Sequence, residues 1–235
     1  MGVTTGKSAF QPNIVTNGLV LNLDAINPNS YPQSGTIWYD TSGNNNNGTL
    51  TNGTSWTPNG AQTSFSFDGV DDYVNLGTVS FGITRDFTMS FWMNMTQTGA
   101  MQIFNKGFNS PWGVYIAKRG DNNTLTCQVY LTSGSYGQTD TITNSYSGIK
   151  NWTVVRNDTT LTWYVNGIVD NVSSLSSSDV SQSNTKQWRI ATNQETSAHG
   201  IFKGNIYNQL VYNRGLTQTE VLQNYNALKS RFGLT

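Results

Sequence analysis

The sequence has almost no cysteine and little charge. Cys127 is the only cysteine among 235 residues, which excludes an internal disulfide framework and a zinc site built on cysteines. Charged residues make up 11% of the chain, and 13 Lys and Arg balance 13 Asp and Glu. Nucleic acid is therefore not an expected partner, because phosphate binding requires a basic surface.

Long hydrophobic runs are also missing. No apolar run approaches the roughly 20 residues that span a bilayer, so no membrane helix is predicted. The first ten residues contain no apolar stretch of the kind found in signal peptides, so export by the usual signal route is not expected. Neutral Asn, Ser and Thr are abundant instead, as is common in secreted, cell-surface and virion proteins.

The main pattern in the sequence is an alternation of apolar and polar residues. Residues 87–95 place five apolar side chains on one face, which predicts a half-buried strand. These are Phe87, Met89, Phe91, Met93 and Met95. The same alternation recurs at 125–132 and 161–166, and Asn166-Gly167 is a hairpin signal. Further strands are predicted at 19–24, 64–68, 73–76, 101–106, 113–118, 151–156, 188–192 and 205–212. About eleven strands at this spacing predict an all-β fold, a two-sheet antiparallel β-sandwich.

The two ends of the chain break this pattern. Thr217 and Glu220 form a predicted capping box, apolar residues follow at helical spacing, and Gly233 is a stop signal, which together predict one α-helix over 217–231. Residues 1–17 show no periodicity and are interpreted as an N-terminal arm. We expect this arm to lie either on its own sandwich or on a neighbouring chain.

Several motifs resemble one known family. They occupy residues 18–24, 38–44, 67–74 (FDGVDDYV), 87–92, 152–156, 164–167, 202–206 and 212–216. In this order they resemble the laminin G-like branch of the concanavalin A-like lectin/glucanase superfamily. The resemblance implies a concanavalin A-like jelly roll over residues 18–235.

The C-terminal segment carries a second resemblance. Residues 221–226 (VLQNYN) and 229–232 (KSRF) are similar to the form of this domain found in tailed-phage virion proteins. That similarity implies assembly in a host cytoplasm, location in the virion, and other capsid or fibre subunits as partners.

Enzymatic activity is not expected. The glucanases of this superfamily use a Glu-x-Asp-x-x-Glu stretch, whereas this chain has only Glu195, in a predicted loop, and Glu220, in the helix cap. Asp68, Asp71 and Asp72 fall in a predicted turn, where aspartate commonly supports the backbone. His199 is the single histidine, and a loop position before glycine favours a structural role over a catalytic triad.

Calcium is the one metal that the resemblance implies, through oxygen ligands on loops at the rim of the sandwich. The weak candidates are Asp24, Asp68, Asp71 and Asp72. Many family members carry aspartate after the segment equivalent to 204–206, whereas this chain has Tyr207 and Asn208 there. This departure lowers the expectation of a structural calcium, and no other cofactor is expected.

A glycan-binding face is the alternative site. Four aromatic residues lie in the polar register of their strands, namely Trp92, Tyr115, Tyr130 and Tyr164, with Asn94, Gln128 and Asn166 nearby. If those strands share a sheet, their rings and amides would form one surface that accepts sugars. The competing interpretation is that loops or a partner chain cover this face and that the rings serve packing.

Two functions follow from these observations. The first is a non-enzymatic phage virion structural protein, a capsid decoration or a fibre or appendage component anchored through residues 1–17. The alternative is a glycan-binding adhesin module that recognises host surface polysaccharide. Neither function involves nucleic acid or a membrane.

Overall fold

The fold is a two-sheet antiparallel sandwich, as predicted. The structure is a computed structural model, and it describes residues 13–96, 98–106, 113–120, 123–134, 136–143, 146–176, 179–181, 185–192 and 200–235. Within these residues the strands are β1 (Leu19–Asp24), β2 (Ile37–Trp38), β3 (Gly48–Thr51), β4 (Ser55–Thr57), β5 (Ser64–Asp68), β6 (Tyr73–Gly77), β7 (Phe87–Met95), β8 (Met101–Lys106), β9 (Val114–Lys118), β10 (Leu125–Tyr130), β11 (Tyr136–Asp140), β12 (Lys150–Asn157), β13 (Thr160–Val165), β14 (Ile168–Ser174), β15 (Trp188–Ile190) and β16 (Lys203–Tyr212).

The strands divide into two sheets. Sheet A has the order β14-β13-β12-β7-β16-β5-β4, and β1 also pairs with β16. Sheet B has the order β11-β10-β9-β8-β15-β6-β3-β2. The predicted turn at Asn166-Gly167 joins β13 to β14, and both residues have positive φ (51° and 78°), as a type I′ hairpin requires.

One large apolar cluster fills the space between the sheets. It includes Trp38, Phe91, Phe104 and Trp163, each completely buried. The rings of Phe91 in sheet A and Phe104 in sheet B lie 6.0 Å apart, and burial of such rings is a main source of folding free energy. Cys127 belongs to this cluster, and burial raises the pKa of its thiol, so it is a packing residue rather than a reactive one.

The outer face of sheet A also carries large apolar side chains, beside buried polar ones such as Ser90 and Thr153, and the C-terminus covers it. Helix α1 (Gln218–Leu228) is followed by a short 3-10 helix (Lys229–Phe232). Phe232 packs between Trp92 and Tyr207, with ring centroids 4.4 and 5.2 Å apart. Strands β7, β12 and β16 are therefore buried on both faces for most of their length.

The capping box of α1 is confirmed. The Glu220 N–H donates to Thr217 Oγ1, and the Thr217 N–H donates to Glu220 Oε2. The Arg214 guanidinium also forms a bidentate salt bridge with the Glu220 carboxylate, with N–O distances of 2.6 and 3.0 Å. The predicted C-terminal helix is confirmed, and its last turn, Lys229–Phe232, tightens to 3-10 geometry and ends at Gly233 with φ of 69°.

Residues 13–17, predicted as part of the arm, lie on the domain itself. The Val15 N–H donates to Asn224 Oδ1, the Tyr212 hydroxyl donates to the Val15 carbonyl, and Asn224 Nδ2 donates to the Tyr212 oxygen. The first two bonds hold the segment against α1 and the outer face of sheet A, and the third links the two side chains to which Val15 is bonded. Residues 1–12, the rest of the predicted arm, lie outside the described residues.

No helix among the described residues is long and apolar enough to cross a membrane.

We predict that Phe232→Ala lowers the free energy of unfolding by about 3 kcal/mol, because it empties the space between Trp92 and Tyr207. Ile142→Ala is the matched control, since Ile142 is 71% exposed and its truncation is expected to cost less than about 0.5 kcal/mol. Urea unfolding followed by tryptophan fluorescence measures both values. Equal losses in the two variants would contradict this packing role.

We predict a specific pH dependence for Glu220→Gln. The hydrogen bonds from Arg214 lower the pKa of Glu220 to about 2, from an ordinary value of 4.5. A lowered folded-state pKa gives stability that is present above pH 4.5 and lost as pH falls towards 2. The variant should therefore be less stable by about 1 kcal/mol at pH 7, and thermal melts should converge with the wild type near pH 2. A constant difference across this range would contradict the assignment.

Candidate functional site

The outer face of sheet B carries aromatic and amide side chains at its β11 edge. On β10, Leu125, Cys127 and Val129 point into the core, so Gln128 and Tyr130 point outwards. The neighbouring strands bring similar side chains beside them, because Gln128 pairs with Tyr115 of β9 and with Gln138 of β11, and Tyr130 pairs with Tyr136. We call this surface the tyrosine–glutamine face; its members are Tyr115, Gln128, Tyr130, Tyr136 and Gln138.

Hydrogen bonds fix the orientation of these amides. Gln138 Nε2 donates to both carboxylate oxygens of Asp140, at 3.1 and 3.2 Å, which turns its Oε1 towards Gln128. Gln128 Nε2 then donates to that Oε1 at 2.8 Å. On β8, the buried Gln102 donates to the Tyr115 hydroxyl oxygen at 2.9 Å. The side chains therefore form an ordered polar array rather than independent surface groups.

The tyrosine rings of this array differ in exposure. Tyr130 and Tyr136 have ring centroids 5.5 Å apart and an interplanar angle of 31°. Tyr136 is 57% exposed, whereas Tyr115 and Tyr130 are half-buried. Burial raises the pKa of Tyr115, and it raises that of Tyr130 to about 12, so both hydroxyls keep their protons at neutral pH. Rings and neutral hydrogen-bonding groups thus occur on one surface.

The predicted single glycan face is not formed as expected, because the four rings belong to different sheets. Trp92 and Tyr164 lie on β7 and β13 of sheet A, whereas Tyr115 and Tyr130 lie on sheet B. Trp92 is 1% exposed and stacks on Phe232 under the C-terminal helices. Tyr164 is also buried, in the cluster that Val15 and Val221 complete.

The two predicted asparagines are likewise on the sheet A side. Asn94 lies on β7 opposite Asn205 and is half-buried. Asn166 occupies the β13–β14 turn, where its Oδ1 accepts the Asn151 N–H at 2.9 Å. The structure thus brings Tyr115 and Tyr130 together but places Trp92, Tyr164, Asn94 and Asn166 elsewhere.

Tyr136 and Gln138 are the members of the tyrosine–glutamine face that the sequence analysis missed. Their strand, β11, has no apolar alternation, because its inward residues are Gly137 and Thr139. Gly137 lies against Leu175, where an added Cβ would come within 2.7 Å of that side chain. The available signal was the polar alternation Tyr136, Gln138, Asp140, which matches the outward register of β10.

The four candidate metal ligands fall into two places. Asp24 forms a salt bridge with Arg231, whose guanidinium donates to both carboxylate oxygens at 2.9 and 3.0 Å. Asp68, Asp71 and Asp72 come together in the β5–β6 loop, and their ligand atoms lie within 4.8 Å of one another.

The resemblance implies an aspartate at the position of Tyr207 or Asn208, and both of these residues make structural contacts. Tyr207 packs on Phe232, and Asn208 donates to the Leu23 carbonyl at 3.0 Å.

Of the residues considered for catalysis, Glu220 is among the described residues. Glu220 is committed to the helix cap and to Arg214. Glu195 and His199 lie outside the described residues.

Comparison with known proteins identifies the class. A family model described as the concanavalin A-like lectin/glucanases superfamily matches residues 67–222, which is more than half of the chain. The fold is thus that of a lectin-like sandwich. The chain belongs to the concanavalin A-like lectin/glucanase superfamily, in its laminin G-like branch. No curated protein is a significant match.

Solved structures with this fold include clostridial toxin binding domains. The binding domain of Paraclostridial Mosquitocidal Protein 1 is 17% identical with a TM-score of 0.67, covering 90% of this chain and 52% of that one. A structure of botulinum neurotoxin type C, whose cell entry depends on two ganglioside molecules, is 15% identical with a TM-score of 0.70 and coverages of 91% and 52%. The binding domain of botulinum neurotoxin DC in complex with SialylT is 15% identical with a TM-score of 0.71 and coverages of 91% and 52%. The chain spans about half the length of these structures, and the likeness concerns the fold.

Proposed function

We propose that the protein is a non-enzymatic carbohydrate-binding module that recognises its ligand through the tyrosine–glutamine face. The observation that carries this proposal is the ordered array on β9, β10 and β11, in which Gln128 and Gln138 are held in one orientation beside three tyrosines. An array fixed before binding loses little conformational entropy when a ligand arrives.

The chemistry of this face suits a neutral or weakly charged sugar. The apolar C–H faces of a pyranose stack on aromatic rings, which Tyr130 and Tyr136 offer side by side. Sugar hydroxyls both donate and accept hydrogen bonds, and the amides of Gln128 and Gln138 provide both functions. Neighbours of the same fold support this proposal, since gangliosides and SialylT are carbohydrate ligands named for botulinum neurotoxins.

The position of the N-terminal segment also fits a tethered binding module. Residues 13–17 lie on the outer side of sheet A, whereas the tyrosine–glutamine face lies on the outer side of sheet B. An attachment through the preceding residues would therefore leave the binding face directed away from the point of attachment.

A virion is the setting we propose for this module. We infer that the chain is a phage capsid decoration or a fibre or appendage component, assembled in the host cytoplasm, with other virion subunits as partners of residues 1–12. The resemblance of the C-terminal segment to tailed-phage proteins supports this setting. The separation between residues 13–17 and the tyrosine–glutamine face supports it too. Host surface polysaccharide is then the expected glycan.

We predict that Tyr130→Ala and Tyr136→Ala each weaken glycan binding by about tenfold or more, because each removes a stacking surface. Tyr39→Ala is the matched control, since Tyr39 is 42% exposed and follows β2 at the opposite edge of sheet B. A glycan array identifies the ligand, and isothermal titration calorimetry measures the affinity of each variant. Wild-type affinity in both face variants would refute this site.

We predict that deleting residues 2–12 abolishes incorporation into phage particles. This deletion leaves residues 13–17 and their contacts with α1 in place, so the domain should remain folded. Mass spectrometry of purified particles measures occupancy, and Tyr130→Ala should be incorporated normally. Undiminished occupancy after the deletion would count against anchoring through the arm.

A further inference from the structure

A row of polar residues continues across the outer face of sheet B beyond the tyrosine–glutamine face. Tyr115 of β9 lies opposite Asn105 of β8, which lies opposite Arg189 of β15. Arg189 in turn lies opposite Asn75 of β6. Because Ile190 belongs to the core cluster, the preceding Arg189 points outwards. Arg189 therefore shares the outer face with Tyr115, two strands away.

The charge of Arg189 has no acidic partner in the part of the chain that the structure describes. None of the salt bridges there involves Arg189, and Nη2 donates to Gln187 Oε1 at 3.2 Å. The Nε atom is shielded from solvent and has no hydrogen-bond partner among the described residues. A positive charge that is partly removed from water and not neutralised by the protein attracts an anion more strongly than a fully hydrated one.

Tyr73 holds the guanidinium in place. The central carbon of the Arg189 guanidinium lies 4.7 Å from the centroid of the Tyr73 ring, within the range of a cation–π contact. The Nη1 atom donates to none of the described residues, and it is not among the atoms shielded from solvent. A positioned guanidinium with accessible N–H groups matches the geometry of a carboxylate.

Asn75 adds a second donor beside this cation. Its Oδ1 accepts the Gly77 N–H at 2.9 Å, which fixes the orientation of the amide. The Nδ2 group makes no hydrogen bond within the described ranges, and the side chain is half-buried rather than covered. Arg189 and Asn75 thus present N–H donors and a positive charge side by side, which is the chemistry that recognises an anion.

We propose that the glycan of this module is acidic and that Arg189 and Asn75 bind its carboxylate. The inference rests on the proposed function, because it assigns a second part of the same ligand. At about 4.8 Å between neighbouring strands, Arg189 on β15 is about 10 Å from Tyr115 on β9 and about 14 Å from Gln128 on β10. One oligosaccharide can therefore place a neutral sugar on the tyrosine–glutamine face and an acidic sugar at Arg189.

The first experiment tests the class of ligand. A glycan array that contains neutral oligosaccharides and oligosaccharides with uronic or sialic acids is probed with the full chain, which should retain acidic members. The selected oligosaccharide is compared by isothermal titration calorimetry with its carboxyl-reduced form, in which an alcohol replaces each carboxylate. Reduction should weaken binding at least about tenfold, because it removes a charge-assisted hydrogen bond. Retention of neutral glycans alone, or equal affinity for the two forms, would overturn the inference.

The second experiment tests the residues. Arg189→Gln removes the charge, and Asn75→Asp places a competing carboxylate beside Arg189 while it keeps the acceptor for the Gly77 N–H. Asn75→Asp preserves side-chain size, so it should fold even if Arg189→Gln does not. Each variant should weaken binding of the acidic oligosaccharide at least about tenfold and leave binding of its reduced form nearly unchanged. Lys203→Gln is the matched control, because it removes one positive charge from an exposed position on sheet A, and it should match the wild type.

Tyr130→Ala separates this inference from the proposed function. It should weaken binding of both forms of the oligosaccharide, because ring stacking does not depend on the carboxylate. If Tyr130→Ala weakens binding and Asn75→Asp keeps wild-type affinity, the site at Arg189 is overturned and the tyrosine–glutamine face stands. The reverse result would refute the tyrosine–glutamine face and support the site at Arg189. Absence of binding to every glycan on the array would overturn both.

Discussion

The stack of Phe232 on Trp92 is the contact on which the arrangement of this molecule depends. Sheet A carries large apolar side chains on both faces, so its outer face must be covered by other parts of the chain. The C-terminal helices and residues 13–17 provide that cover. Val15 donates a buried hydrogen bond to Asn224 and accepts one from Tyr212, and these bonds hold the N-terminal segment in place. Both ends of the described chain are thereby committed to one side of the sandwich, and the strands that they cover are buried almost throughout.

This asymmetry explains where a binding site can lie. With most of the outer face of sheet A covered, the aromatic and amide side chains of the candidate site belong to sheet B, where Gln128 and Gln138 are oriented through Asp140. The acidic β5–β6 loop connects β5 of sheet A to β6 of sheet B, and its carboxylates form no salt bridge among the described residues. The ordered polar array and the acidic loop thus belong to different parts of one lectin-like scaffold.

The sequence predicts the fold well because the signals are local. The alternation in 87–95, the Asn166-Gly167 turn and the Thr217–Glu220 cap each report nearby backbone geometry, and each is confirmed. Pairing between distant strands carries no such signal. The polar register alone therefore could not show that Trp92 and Tyr130 lie on opposite sheets, nor that Tyr136 joins the site from a strand whose inward residues are Gly137 and Thr139. Trp92 also illustrates that an outward register does not imply exposure, since a segment 140 residues later in the chain, around Phe232, covers it.

Carbohydrate binding on the outer face of sheet B is tested most directly by a crystal structure of the chain with the oligosaccharide selected on a glycan array. We expect a sugar ring against Tyr130 and Tyr136, with its hydroxyls in hydrogen-bond contact with Gln128 and Gln138. A sugar bound at the β5–β6 loop or beside the C-terminal helix, with the tyrosine–glutamine face empty, would contradict it.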